Sequence, residues 1–198
     1  WCTYDQTALA EAEVEYEDHT SPSIYVKFPV VQSPSVLSRI FHVPFPADVT
    51  QISVVIWTPT PWTLPANQAV CLHPDIDYAF VLAGNEVLVV ADKLVDTVAK
   101  ACDLSGYRIL GVKKGRDGFE GLETERPLTR GLSPILLGEF VTLEQGTGCV
   151  HIAPGHGMED YQLVLDYNAR AGAGERLEIL APVDDAGRFT EAVGEFAG

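Results

Sequence analysis

The chain has 198 residues, 46% of them apolar and 21% charged, which is enough for one domain with a sizeable core and unlike a disordered or membrane-spanning composition. Its 13 basic and 28 acidic side chains give a formal charge of −15, which argues against a freestanding nucleic-acid binder, because such domains present basic patches to phosphates. The four cysteines, Cys2, Cys71, Cys102 and Cys149, lie far apart with no CxxC pair, so reduced thiols in a cytosolic protein are expected rather than a disulfide framework.

Nothing at the N-terminus resembles a signal peptide, and the start at Trp1 with a single methionine, Met158, reads as an excised fragment. From Glu11 to Glu17 glutamates alternate with Ala12, Val14 and Tyr16, a period-2 pattern that predicts a strand with one wet face. A second strand is predicted over Ser23–Val31, after the turn at Ser21-Pro22. Ile52–Trp57 is a β-branched run and reads as a buried strand. Tyr78–Ala83 and Glu86–Ala91 flank Gly84-Asn85, the signature of a hairpin. Asp92 is a candidate N-cap for a helix over about 93–103, with Leu94, Val95, Val98, Ala99 and Cys102 at helical spacing.

Tyr107–Val112, Phe140–Leu143 and Cys149–Ala153 are further predicted strands. A helix is expected from Met158 to about Arg170, then one strand over Glu178–Leu180 and a turn at Asp184–Gly187. Strands outnumber helices and do not alternate with them, which disfavours a doubly wound parallel sheet. The predicted class is mixed α/β and strand-rich, a β-barrel core with flanking helices. Neither GxxxxGK[ST] nor GxGxxG occurs, so nucleotide binding of those kinds has no support.

Two segments carry unusual chemistry. Trp57–Asn67 (WTPTPWTLPAN) packs three hydroxyls, two indoles and an amide into a proline-stiffened loop at the end of the buried strand. Threonines without a base do not attack an ester, but they can hold a substrate or a water; the structural alternative is a turn that covers the core with its tryptophans. Gly146–Tyr161 (GTGCVHIAPGHGMEDY) runs from a strand through a Gly/Pro corner into a helix. It brings His151, His156 and Asp160 near free N–H groups at a helix start. Three readings stay open on these residues. They could form a zinc site, although no HExxH is present; a metal-free pocket in which Asp160 binds a cation; or structural positions such as a dipole-favoured Asp and backbone-bonded histidines.

Together the two segments resemble the signature motifs of the editing domain of isoleucyl-tRNA synthetase, a class I aminoacyl-tRNA synthetase. The opening Trp1-Cys2, Ala8–Tyr16 and Ser21–Ile24 resemble the start of the same insertion. The TPWTLPAN ending separates the isoleucyl branch from the valyl and leucyl ones. The resemblance implies a single editing domain over 1–198, with about 1–20 and 181–198 joining the synthetase body, a β-barrel with flanking helices, and no ligase activity, since HIGH and KMSKS are absent.

It also implies a proofreading hydrolase that removes valine from mischarged tRNA(Ile), with the rest of the synthetase chain as partner, in the cytoplasm, as a monomer away from membranes. The alternative is a non-catalytic tRNA-docking or structural module. By the same resemblance Asp160 binds the α-ammonium of the misplaced amino acid, His151 shapes the pocket and limits side-chain size, and Thr58 and Thr60 contact substrate and order the attacking water. Trp57, Thr63, Asn67, Gly155 and His156 complete the substrate-binding set. No metal or other cofactor is expected. Pro59 stands where many relatives have threonine, which leaves one hydroxyl contact missing or replaced.

Overall fold

The computed structural model describes residues 1–18 and 20–198; His19, within the expected lead-in segment, lies outside the described residues. The strands are β1 (Ile24–Pro29), β2 (Gln51–Thr58), β3 (Ala69–Leu72), β4 (Asp77–Ala83), β5 (Glu86–Ala91), β6 (Arg108–Lys114), β7 (Glu123–Glu125), β8 (Leu132–Leu137) and β9 (Cys149–Ile152). The helices are α1 (Pro34–Phe41), α2 (Val95–Ala101) and α3 (Met158–Arg170). One sheet has the order β1-β2-β5-β4-β6 and the other β7-β8-β3-β9.

The pairings are mixed. β2 and β5 run parallel, as do β3 and β8, and the remaining neighbours are antiparallel. The mixed, strand-rich class is therefore as expected. The barrel holds only loosely: the sheets share a core and meet at one corner through the Val30–Thr124 pair, but they do not close.

The β-branched run of β2 explains its place. Ile52, Val54, Val55 and Ile56 are all buried, and both flanks are paired, by β1 and β5. The core combines these with Phe28, Phe41, Phe80 and Phe119 and with Val70, Leu72 and Ile135 from the second sheet. Phe41 and Phe119 meet at a centroid distance of 4.5 Å. Alternation along β3 then builds a second layer. Val70 and Leu72 face the main core, whereas Ala69 and Cys71 join Leu136, Val141, Ile152 and Val164 of α3. The hairpin forms as predicted, with Gly84 at φ +62°, the conformation a tight hairpin needs at its first central residue.

Four local expectations are corrected. Glu11–Glu17 is not a strand: it has no partner among the described residues, and Glu11–Glu13 forms a short exposed 3-10 turn in which the Glu13 carboxylate accepts from the Ala10 N–H at 2.8 Å. Phe140–Leu143 is irregular, because the chain leaves the ladder once Gly138 N–H has bonded the Leu72 carbonyl; Val141 still packs inward. Glu178–Leu180 also lacks a strand. The Asn168 side chain bonds both the N–H and the carbonyl of Leu177, each at 2.8 Å, in place of a neighbouring strand. Asp92 caps nothing, and α2 is reached through a 3-10 turn at Asp92–Leu94. Among the described residues no helix is long and apolar enough to cross a membrane.

Candidate active site

A cleft of about 430 Å³ opens where the end of β2, the loop before β9 and the start of α3 converge. Three constraints hold it there. The Tyr78 hydroxyl donates to the Gly148 carbonyl at 2.7 Å, and Ala91 N–H donates to the Thr147 carbonyl at 2.8 Å, so β4 and β5 pin the Gly146–Gly148 loop. Pairing of Val70 with His151 and Gln68 N–H donation to the Ile152 carbonyl place β9 beside the proline-rich segment. That segment leaves β2 after Thr58 and winds into a 3-10 turn over Pro61–Ala66, where the prolines fix φ without needing the missing N–H bonds.

Trp57, Thr58, Thr60, Thr63, His151, His156 and Asp160 all line this cleft, although they come from segments up to a hundred residues apart. Thr58 Oγ1 accepts from the Thr60 N–H at 3.1 Å and lies 3.3 Å from Thr60 Oγ1, so the two hydroxyls form one polar wall. Pro59 does not break this wall; its carbonyl accepts from the Ser21 hydroxyl at 3.1 Å. Two expected residues stand behind the surface. Asn67 is fully buried beyond His151, and Gly155 backs onto the Leu180 carbonyl.

Phe140, Thr142 and Gln145, just before the second motif, and Glu159, within it, also line the cleft and carried no signal of their own. Gly155 is there because nothing larger fits: a Cβ would sit 2.2 Å from the Leu180 oxygen. Gly155→Ala should therefore cost about 1–3 kcal/mol of stability, read as a lower denaturant midpoint. An unchanged midpoint would show that the 153–157 corner yields freely.

His151 is held on both sides. Its Nε2 lies 2.9 Å from Thr63 Oγ1 and its Nδ1 lies 3.3 Å from the Asn67 amide nitrogen. Thr63 gives its only hydroxyl hydrogen to the Thr60 carbonyl at 3.0 Å, so towards His151 it accepts. The imidazole is thus the neutral Nε2–H tautomer, with Nδ1 accepting from Asn67. Burial, aided by nearby His156, pushes its pKa down to about 4.

The sign of the pH effect follows. An unfolded His151 takes a proton near pH 6.5 and the folded one does not, so stability is full above about 6.5 and falls as pH drops towards 4. Between pH 7 and pH 4.5 wild type should lose about 2 kcal/mol more than His151→Gln, measured by denaturant unfolding at the two pH values. Equal losses would mean that His151 is protonated in the fold.

Asp160 sits in the first turn of α3, and its Oδ2 accepts from the Ala153 N–H at 2.8 Å. No protein donor engages Oδ1 among the described residues. Burial raises its pKa; the Ala153 bond offsets this in part, and Glu159 adds to the rise. A carboxylate held this way is most stable when a cation joins it. The lining contains Asp160 and Glu159 but neither lysine nor arginine, so the cleft favours a cationic group. His156 stands edge-on to Trp62 at 5.0 Å, and its buried Nε2 bonds to no described protein atom. No three His, Cys, Asp or Glu side chains are grouped for a metal among the described residues.

No profile of a known protein family matches the chain. Over its whole length it is 49% identical to an isoleucine-tRNA ligase of Desulfovibrio desulfuricans, 47% to that of Lawsonia intracellularis and 46% to that of Moorella thermoacetica. It spans about a fifth of the length of these curated relatives, 19–20%. Among solved structures, the editing domain of the cytosolic leucyl-tRNA synthetase of P. knowlesi aligns with a TM-score of 0.63 at 16% identity, over 75% of this chain and 62% of that one. The P. falciparum counterpart aligns at 0.58 and 15% identity, over 90% and 73%.

Proposed function

On the premise that this chain belongs to the isoleucine-tRNA ligase family and has the fold of a synthetase editing domain, we propose that it is a hydrolase that deacylates tRNA(Ile) wrongly charged with valine. The supporting observation is the pairing in one cleft of a cation-seeking Asp160 with the threonine wall and a neutral His151. Isoleucine and valine differ by one methylene, which binding alone discriminates by only ~1–3 kcal/mol, a range known from these very enzymes. A second site that admits valine and rejects isoleucine by size corrects the shortfall.

In this reading Asp160 Oδ1 takes the α-ammonium of the valyl ester. That anchors the carbonyl near Thr58 and Thr60, whose hydroxyls order the attacking water. Water is the nucleophile, and orientation and electrostatics supply the acceleration. His151 and Thr63 form the wall that limits side-chain size. Asn67 acts through His151, and His156 lines the substrate side of the cleft. Residues 1–198 act as one editing domain, with its first and last stretches joining the synthetase body, which holds the tRNA. That division accounts for an editing module with a charge of −15.

Calorimetric titration with a non-hydrolysable valyl-adenosine analogue tests the pocket without the rest of the tRNA. Saturable binding that disappears in Asp160→Ala supports the assignment. Binding that survives that change would remove Asp160 from the ammonium role.

A further inference from the structure

The polar contacts do not stop at Asn67. Its carbonyl oxygen Oδ1 accepts from the Ser133 hydroxyl of β8 at 2.5 Å, and one amide hydrogen goes to the Ala69 carbonyl at 2.8 Å. Ser133 Oγ in turn accepts from Arg126 Nε at 3.0 Å. Arg126 follows β7, and its guanidinium also reaches Gln68 Oε1 at 3.5 Å. Asn67 and Ser133 are both completely buried.

Counting hydrogens gives this chain a direction. A serine hydroxyl has one hydrogen. With the Arg126 N–H aimed at Ser133 Oγ, that hydrogen is free only for Asn67, so Asn67 must turn its oxygen to Ser133 and its nitrogen to His151. The nitrogen then donates to Nδ1, which leaves the imidazole hydrogen on Nε2, facing Thr63. Donation runs one way, from Arg126 through Ser133, Asn67, His151 and Thr63 to the Thr60 carbonyl. Reversing a link would oppose like groups or strand a buried one: a flipped Asn67 would turn its oxygen to the Ala69 carbonyl, and a reversed Thr63 would leave the Thr60 carbonyl without its donor, both unfavourable away from water.

We propose that Ser133, held by Arg126, is a positioning residue of the cleft: it fixes the orientation of the Asn67 amide and through it the tautomer that His151 presents to Thr63. Neither residue lines the cleft, so their influence is wholly indirect. The proposal rests on the proofreading reading for its consequence in activity, but the tautomer itself is independent of that reading. The titratable neighbours that share the cleft with His151 are Cys149, whose thiol burial keeps neutral, His156, Glu159 and Asp160. A proton on Nδ1 would meet the Asn67 N–H, so the same chain also opposes the imidazolium.

The test is nitrogen-15 NMR of the histidines in the full 198-residue chain, comparing wild type with Ser133→Ala, Ser133→Thr and Arg126→Gln. Wild type should show a pure Nε2–H signature for His151. In Ser133→Ala the Asn67 amide keeps only the Ala69 carbonyl to orient it and its oxygen is left without a donor, so its hold on Nδ1 should loosen, the signature should become a mixture and the proton affinity of His151 should rise at least tenfold. Ser133→Thr keeps the hydroxyl and should restore both. Arg126→Gln lies outside the fully buried layer and gives the same reading if Ser133→Ala does not fold.

An unaltered His151 signature in folded Ser133→Ala or Arg126→Gln would overturn the proposal. Deacylation of a valyl ester should fall roughly tenfold in Ser133→Ala as the wall loses its fixed orientation. A shifted tautomer in a chain whose wild type cleaves no ester would leave the positioning role standing and defeat the hydrolase instead.

Discussion

Replacing Asp160 with alanine should slow hydrolysis of valyl-tRNA(Ile) about a hundredfold, which corresponds to ~3 kcal/mol of lost charge-assisted bonding to the substrate ammonium. The substitution also strips the Ala153 N–H of its acceptor, so stability could confound the result. Asp160→Asn separates the two effects. The amide oxygen can still accept from Ala153, but the side chain carries no charge for an ammonium. The Asn variant should therefore fold like wild type and be nearly as inactive as the Ala variant. An active Asn variant would mean that hydrogen bonding alone suffices there. The raised pKa of Asp160 adds a pH signature: activity should fail on the acid side above the ordinary carboxylate range, as the buried carboxyl takes up a proton and can no longer pair with the ammonium.

The second large effect is on selectivity. His151→Ala removes a ring that is only 7% exposed and buttressed by Thr63 and Asn67, so the space it vacates adjoins the substrate pocket. Isoleucine carries one methylene more than valine, and a wall set to exclude it discriminates by ~1–3 kcal/mol. Without the ring, the preference for valyl over isoleucyl esters should fall ten- to a hundredfold, chiefly because isoleucyl-tRNA(Ile) begins to be cleaved. The readout is the ratio of deacylation rates for the two esters. A mutant that is slower on both at an unchanged ratio would make His151 an orienting group with no part in the size limit.

The parts of the molecule legible in the sequence were those where burial leaves a repeating pattern or a special residue. Ile52–Ile56 is apolar but for the buried Ser53 because β2 is paired on both sides and covered on both faces, and α3 begins and ends where its periodicity does. Gly84 marked the hairpin through its backbone requirement. Glu11–Glu17 misled because alternation reports only that one face is wetter than the other; a strand also needs a neighbour, and the described residues offer none. β3 was missed for the opposite reason. Ala69–Leu72 is buried on both faces by two different clusters, so its four apolar residues show no alternation and are too few to stand out after the proline-rich turn. α1 carried its signals, Ser33 before Pro34 with Leu37 and Phe41 four apart, in a stretch for which no element was predicted.

The site divides in the same way. Thr58, Thr60, His151, His156 and Asp160 stood out as chemically unusual residues in two dense motifs, and the fold brings those motifs onto one cleft. Which of them face the cleft was not legible. Asn67 looks like any other polar member of its motif, and only pairing of β3 with both β8 and β9 places it between Ser133 and His151. Arg126 and Ser133 belong to no motif at all. Their importance comes from the direction of hydrogen bonds across strands, which is settled by register and not by composition.

The central claim is that this cleft hydrolyses valine, and not isoleucine, from tRNA(Ile). The direct measurement is the release of each amino acid from Val-tRNA(Ile) and Ile-tRNA(Ile) by micromolar protein, with Asp160→Asn alongside. The account predicts that valine is released, isoleucine is retained, and the Asn variant releases neither. Release of both esters at similar rates by the wild-type protein, or release of valine that survives in the Asn variant, would contradict it.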